Sequence, residues 1–152
     1  MCVLRVSGTH LDVDGQLASS GLTPCHVFRA GEPRWSSRPD GERNEESGFT
    51  VEVSRGSRSS LVGQASDAVA FLKRHSDALS ALRAVPGVED IRLDFPIDLR
   101  IDRETVMAQF DYFPPELVSL AGALGLGLEL SIYPVDFEEL ARAGARRWDS
   151  IS

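Results

Sequence analysis

Cysteine, long apolar runs and a surplus of bases are what this sequence of 152 residues is short of, and each shortage closes off a class of protein. The two cysteines, Cys2 and Cys25, are far fewer than a secreted disulfide framework carries, and a chain of this length can bury a core without staples. Both lie in or beside apolar runs, where a reduced thiol packs as a small hydrophobe, so free thiols are expected. No stretch approaches the roughly 20 apolar residues of a membrane span. Met1-Cys2-Val3-Leu4-Arg5 lacks the basic segment and long apolar run of a secretory signal, which makes the cytoplasm the expected location. Acids outnumber bases 23 to 16, for a net charge of -7. That balance argues against duplex nucleic acid or an anionic membrane as partner, because neutralising phosphates is what supplies such affinity.

Metal and nucleophile chemistry have equally little to stand on. His10, His26, His75 and the two cysteines form no H-x-x-x-H or C-x-x-C spacing, so no metal and no cofactor are expected. Asp12-Val13-Asp14-Gly15 opens like a calcium loop but supplies no further acid and no Glu at the bidentate position, which leaves a helix cap as its role. The glycines of Leu124 to Leu128 lead out of a helix into a strand, the reverse of a phosphate cradle. A hydrolase or transferase would need Cys25 or a serine to meet a base and an acid in space, and the sequence names no catalytic residue.

What the sequence does have is alternation. Ile91 to Asp102 reads I-R-L-D-F-P-I-D-L-R-I-D, which in a strand puts Ile91, Leu93, Phe95, Ile97, Leu99 and Ile101 on one face. Arg92, Asp94, Pro96, Asp98, Arg100 and Asp102 line the other, which should meet water, so the sheet is one-sided. Pro96 removes a ladder donor and predicts an edge position, a bulge or two shorter segments.

Around this strand the rest falls into order. Residues 2–8 form a first strand, and Asp12 or Asp14 caps a short helix stopped by Gly21. Residues 23–29 form a second strand, and residues 31–47, polar apart from Trp35, form a flexible loop insertion or a functional lid between it and a third strand at 48–55. Ser59 or Ser60 caps the longest helix, which kinks near His75-Ser76-Asp77 and ends at Pro86-Gly87. Residues 103–113 carry no clear period. Pro114-Pro115 opens a helix to Leu124, residues 127–133 form a fifth strand with Leu128, Leu130 and Ile132 facing in, and a last helix starts near Asp136 before a frayed tail at 149–152. The order predicts one α+β domain over residues 1–152, with about five mostly antiparallel strands and helices on one face. Its core is the ferredoxin-like β-α-β-β-α-β arrangement, followed by α-β-α.

Several turn and core segments also carry a resemblance. Gly8 to Asp12, Gly21 to Pro24, Ala30 to Arg34, F-L-K-R in the long helix, F-P-P-E-L-V-S-L-A-G-A-L-G and E-L-S-I-Y-P together resemble the bacterial domain of unknown function family 4279. The resemblance covers nearly the whole chain and implies a small bacterial domain, with no catalytic residues to carry over. The Arg- and Glu-rich loop after Gly31 is longer than that pattern needs.

Two groups are candidates for contact with a partner. Arg34, Trp35 and Arg38 combine the residue types that dominate binding hot spots. Asp94, Asp98 and Arg100 lie on the wet face of the fourth strand; the two acids stand about 13 Å apart, too far to share a proton. The function expected is therefore a protein-interaction module of immunity-like or regulatory kind, with a protein partner that the charge would make basic, acting as a monomer or weak homodimer. A small-molecule-binding regulatory domain is the alternative, and a hydrolase or transferase comes third.

Overall fold

Caps and breaks set the helix limits. In the computed structural model, which describes residues 1–101 and 104–134, Asp12 accepts from the Gly15 amide to start α1 (Val13–Ser20), and Gly21 ends it in the left-handed region at φ 67°. Ser60 does the same through the Gly63 amide for α2 (Leu61–Arg74). His75, at φ -110° and ψ 17°, stops that helix before α3 (Ser76–Arg83) begins, so the expected kink is a full break between two helices. Pro115 takes the first turn of α4 (Pro115–Leu124), where its missing amide costs nothing, and Gly125 closes it at φ 69°.

The strands are β1 (Cys2–Gly8), β2 (His26–Phe28), β3 (Ser47–Ser54), β4 (Asp90–Asp98) and β5 (Gly127–Tyr133), in the spatial order β2-β3-β1-β4-β5. β1 runs antiparallel to both β3 and β4, and β2 antiparallel to β3. This is the split β-α-β arrangement expected from the element order, and α4 then returns the chain so that β5 adds parallel to β4. The architecture is α+β with one open, five-stranded, mostly antiparallel sheet.

Alternation decides the two faces. Leu4, Val6, Phe49, Val51, Ile91, Leu93, Phe95 and Ile97 pack against Leu61, Ala65, Ala68, Leu72, Leu79, Leu82, Leu117 and Ala121 in a single core between sheet and helices. The opposite face carries Arg5, Thr50, Glu52, Arg92, Asp94, Asp98 and Glu129. The stripe read from Ile91 to Ile101 is cut short: β4 ends at Asp98, and Leu99 and Ile101 are exposed because the sheet no longer backs them. Ile132, expected inside, is 54% exposed at the end of an edge strand.

Pro96 sits inside β4 without breaking it. The Leu99 amide donates to Tyr133 O at 2.7 Å, so odd residues of β4 bond β5 and even residues face the β1 side. Pairing with β1 stops at Asp94, so the ladder never asks Pro96 for a donor. Its carbonyl accepts instead from Gln64 Nε2 at 2.9 Å, while Asp98 N donates to Arg58 O at 3.2 Å. Among the described residues no helix is long and apolar enough to cross a membrane. The last helix and tail read from the sequence lie outside the described residues.

Candidate functional site

Between β2 and β3 the chain leaves the sheet as a two-stranded arm. Gly31 N donates to Asn44 O (2.8 Å), Asn44 N to Glu32 O (2.9 Å) and Arg34 N to Glu42 O (2.8 Å), with Pro33 bridged to Arg43. Arg38 N to Trp35 O (2.9 Å) and Gly41 N to Arg38 O (3.0 Å) close its tip, and Arg43 donates to Gly31 O at its base (2.7 Å). The polar composition that reads as a loop thus makes a backbone ladder, which needs no apolar side chains.

This arm walls a cleft of about 480 Å³ on the open face of the sheet, whose lining includes Arg5, Phe28, Arg34, Arg43, Glu45 and Glu46. Register explains the floor. Phe28 lies opposite Gly48, and a Cβ at Gly48 would stand 2.6 Å from the Phe28 ring, so only glycine lets that ring lie flat there. The Arg5 guanidinium carbon is 5.1 Å from the centre of the same ring, a cation-π contact, and the His26 ring stacks with Phe28 at 6.0 Å between centroids.

Arg5 differs from the bases around it. Arg92, its cross-strand neighbour, is held between Asp90 (3.2 Å) and Glu129 (3.0 Å), close as charges though without hydrogen-bond alignment to Nε. Arg34 faces Glu42 at 3.4 Å, and Arg43 is spent on a carbonyl. Among the described residues no carboxylate pairs with Arg5, and its Nε is buried with no hydrogen-bond partner. A buried donor left open is a place where an acceptor gains most.

The residues named from sequence do not converge on one spot. Arg34 lines the cleft; Trp35, 58% exposed, and Arg38 sit at the tip of the arm. Asp98 is six strand residues from the Arg92 row, about 20 Å away along the sheet. Asp94 accepts from Ser131 Oγ at 2.6 Å, Asp98 pairs with Arg58 at 3.1 Å, and that guanidinium also lies over the Tyr133 ring at 5.3 Å. Arg100 donates to Asp111 at 2.7 Å, and Gln109 donates to the same carboxylate. Burial pushes the Asp111 carboxyl upward, but the bonds from Arg100 and Gln109 and the Arg100 charge outweigh it and hold the group below the usual carboxylate range. These three candidates already have partners inside the chain.

Arg5, Phe28, Glu45 and Glu46 are missing from the sequence reading. The signal for Arg5 is its place in C-V-L-R-V-S-G, where alternation with Cys2, Leu4 and Val6 puts it on the open face of the sheet but does not say what it meets there.

A second groove, about 590 Å³, runs between β3, the segment 21–25 and the end of α2, and its lining includes Cys25, Asp67 and His75. The Cys25 thiol contacts Thr50 O (3.4 Å) and Thr50 Oγ1 (3.3 Å), and the His75 ring packs on Phe71 at 4.5 Å. Thiol and imidazole therefore face different neighbours, which is not the pairing that activates a nucleophile. Cys2 is buried, and loss of water raises its thiol far above the range in which thiolates form, with Asp94 adding to the effect. Among the described residues no group of three His, Cys, Asp or Glu side chains could hold a metal ion. No family model, no curated protein and no solved structure matches the chain.

Proposed function

We propose that the chain is a small-molecule-binding regulatory module whose cleft receives the carboxylate or phosphate of an anionic metabolite on Arg5. The observation that carries this reading is the buried, unpartnered Arg5 Nε at the floor of a cleft of about 480 Å³. Small-ligand sites are typically about 300–1,000 Å³, and a guanidinium presents paired donors to planar or tetrahedral anions. Phe28 keeps the guanidinium in place from below, and Glu45 and Glu46 at the lining favour a ligand that also carries a cationic or hydroxyl group over a bare anion. A thermal-shift screen of dicarboxylates, amino acids, sugar phosphates and nucleotides against wild type and Arg5→Met tests it. A ligand that binds only the native state at about 100 times its Kd adds about 2.7 kcal/mol, several degrees in a domain of this size. The expected result is such a shift in wild type that disappears in Arg5→Met. Silence across the panel, or a shift that survives in Arg5→Met, overturns the reading.

A protein-interaction role, immunity-like or regulatory, is supported by a different observation, the exposed Trp35 held on a laddered arm between Arg34 and Arg38. With Asp94 and Asp98 already engaged, the arm rather than the acids of β4 is the surface for such a protein partner. A partner retained by wild type and lost by Trp35→Ala supports it; equal retention by both removes it.

A further inference from the structure

We propose that β5 is the joining strand of a two-fold homodimer, pairing antiparallel with β5 of a second copy about Leu130. Because Tyr133 O accepts from Leu99 N and the register with β4 is continuous from Gly127 to Tyr133, the odd residues of β5 bond to β4. The even residues, Leu128, Leu130 and Ile132, turn their N–H and C=O groups outward from the edge of the sheet. Natural edges of this length are guarded by Lys, Pro, bulges or inward charges, whereas G-L-E-L-S-I-Y carries one acid, already paired with Arg92, and its register is unbroken. It also ends in two exposed apolar side chains, Ile132 and Tyr133.

Self-pairing then has few allowed registers. A dyad between two residues would set an outward amide against an inward one and forms no ladder. A dyad at Glu129 would put identical carboxylates directly opposite each other, which destabilises a cross-strand pair. A dyad at Ser131 would place Pro134, which has no N–H, opposite Leu128. A dyad at Leu130 avoids all three conflicts. Leu130 then bonds the partner's Leu130, and Leu128 bonds the partner's Ile132 and the reverse. On the helix side Ile132 is covered by the partner's Leu128, which accounts for an apolar side chain left 54% exposed in one copy. On the open side Glu129 meets the partner's Ser131, and Gly127 leaves room for the partner's Tyr133 ring. The occupant is a second copy because this short sequence is complementary to itself in charge, size and hydrogen-bond parity at that one register.

Two measurements test the proposal on the full chain. Sedimentation across a concentration series should show a reversible dimer for wild type and at least about a tenfold weaker association for Ile132→Lys. Ile132 is exposed, so this variant should keep the wild-type circular dichroism, and at concentrations low enough for both to be monomeric it should melt like wild type. In a Cys25→Ser background, Glu129→Cys combined with Ser131→Cys should form a covalent dimer on mild oxidation, because these positions face each other in a non-hydrogen-bonded pair. Ser131→Cys alone should stay monomeric on a non-reducing gel. A wild type that remains monomeric at all concentrations overturns the proposal, as do an Ile132→Lys variant that dimerises like wild type and cross-linking by Ser131→Cys alone.

Discussion

The two faces of β4 are built from alternate residues of one nine-residue strand, yet they are held by different physics. Facing the helices, Ile91, Leu93, Phe95 and Ile97 are all at most 3% exposed, in a core where any apolar group of suitable shape would be drawn in. Facing outward, each polar residue answers to a particular partner: Arg92 to Asp90 and Glu129, Asp94 to Ser131, Asp98 to Arg58. The inner face is specified by pattern and the outer one by pairs drawn from distant segments. A pattern is visible in a sequence, but a pair separated by 37 residues, as Asp94 and Ser131 are, is not.

The largest effect that separates the two faces comes from moving a charge across the strand. Leu93 is fully buried, with Leu4 and Leu128 as its cross-strand neighbours, so Leu93→Asp strands a carboxylate among apolar groups. It should cost more than about 4 kcal/mol, the exceptional end of single substitutions, and leave the chain unfolded in a denaturant melt. A Leu93→Asp protein with native stability would mean that the inner face is not the one described.

Gln64 sharpens the comparison from the other side, because it is a polar residue that belongs to the inner face. Fully buried in the first turns of α2, it donates through Nε2 to Ser57 O at 3.1 Å and to Pro96 O at 2.9 Å, tying the helix entry to the stretch of β4 that β1 does not reach. Gln64→Leu keeps the volume and loses both bonds, leaving Pro96 O without its Gln64 donor while Ser57 O keeps the Ser60 amide at 3.2 Å. The expected loss is about 1–3 kcal/mol, read as a lower denaturant midpoint at unchanged slope. An unchanged midpoint would show that the Gln64 bonds do not hold this end of β4.

Much of the fold is legible because it rests on the pattern side of this divide. The caps at Asp12 and Ser60, the glycine stops at Gly21 and Gly125, the α+β order and the helix break at His75 all follow from local chemistry. The end of β4 is not legible, since alternation continues through Leu99 and Ile101 while the sheet that would bury them stops. The candidate cleft is hidden for the same reason as the outer-face pairs. Arg5 meets Phe28 only because β3 lies between β1 and β2, and Gly48 marks that approach without saying what approaches. Of the residues singled out from sequence, Arg34 reaches the cleft, while Asp94, Asp98 and Arg100 are drawn into pairs elsewhere.

Beyond the strand, the polar pairs continue where the apolar stripe fails, and this gives the smallest and most selective test. Arg100 N donates to Gln109 Oε1 at 2.8 Å, and its side chain and Gln109 both donate to Asp111, whose side chain is 11% exposed. These bonds favour the charged carboxylate over the desolvation that opposes it, so Asp111 titrates lower in the folded chain than in the unfolded one. A carboxyl depressed in this way adds stability that is fully present above its unfolded value near 3.9 and is lost as pH falls through the folded value. Asp111→Asn should therefore cost less than about 1 kcal/mol at neutral pH and flatten the loss of stability between about pH 5 and pH 2. Denaturant midpoints measured across that window for wild type and variant check it. If both lose stability with the same slope, the segment carrying Asp111 is not pinned to Arg100, and the outer-face logic of specific pairs ends where β4 does.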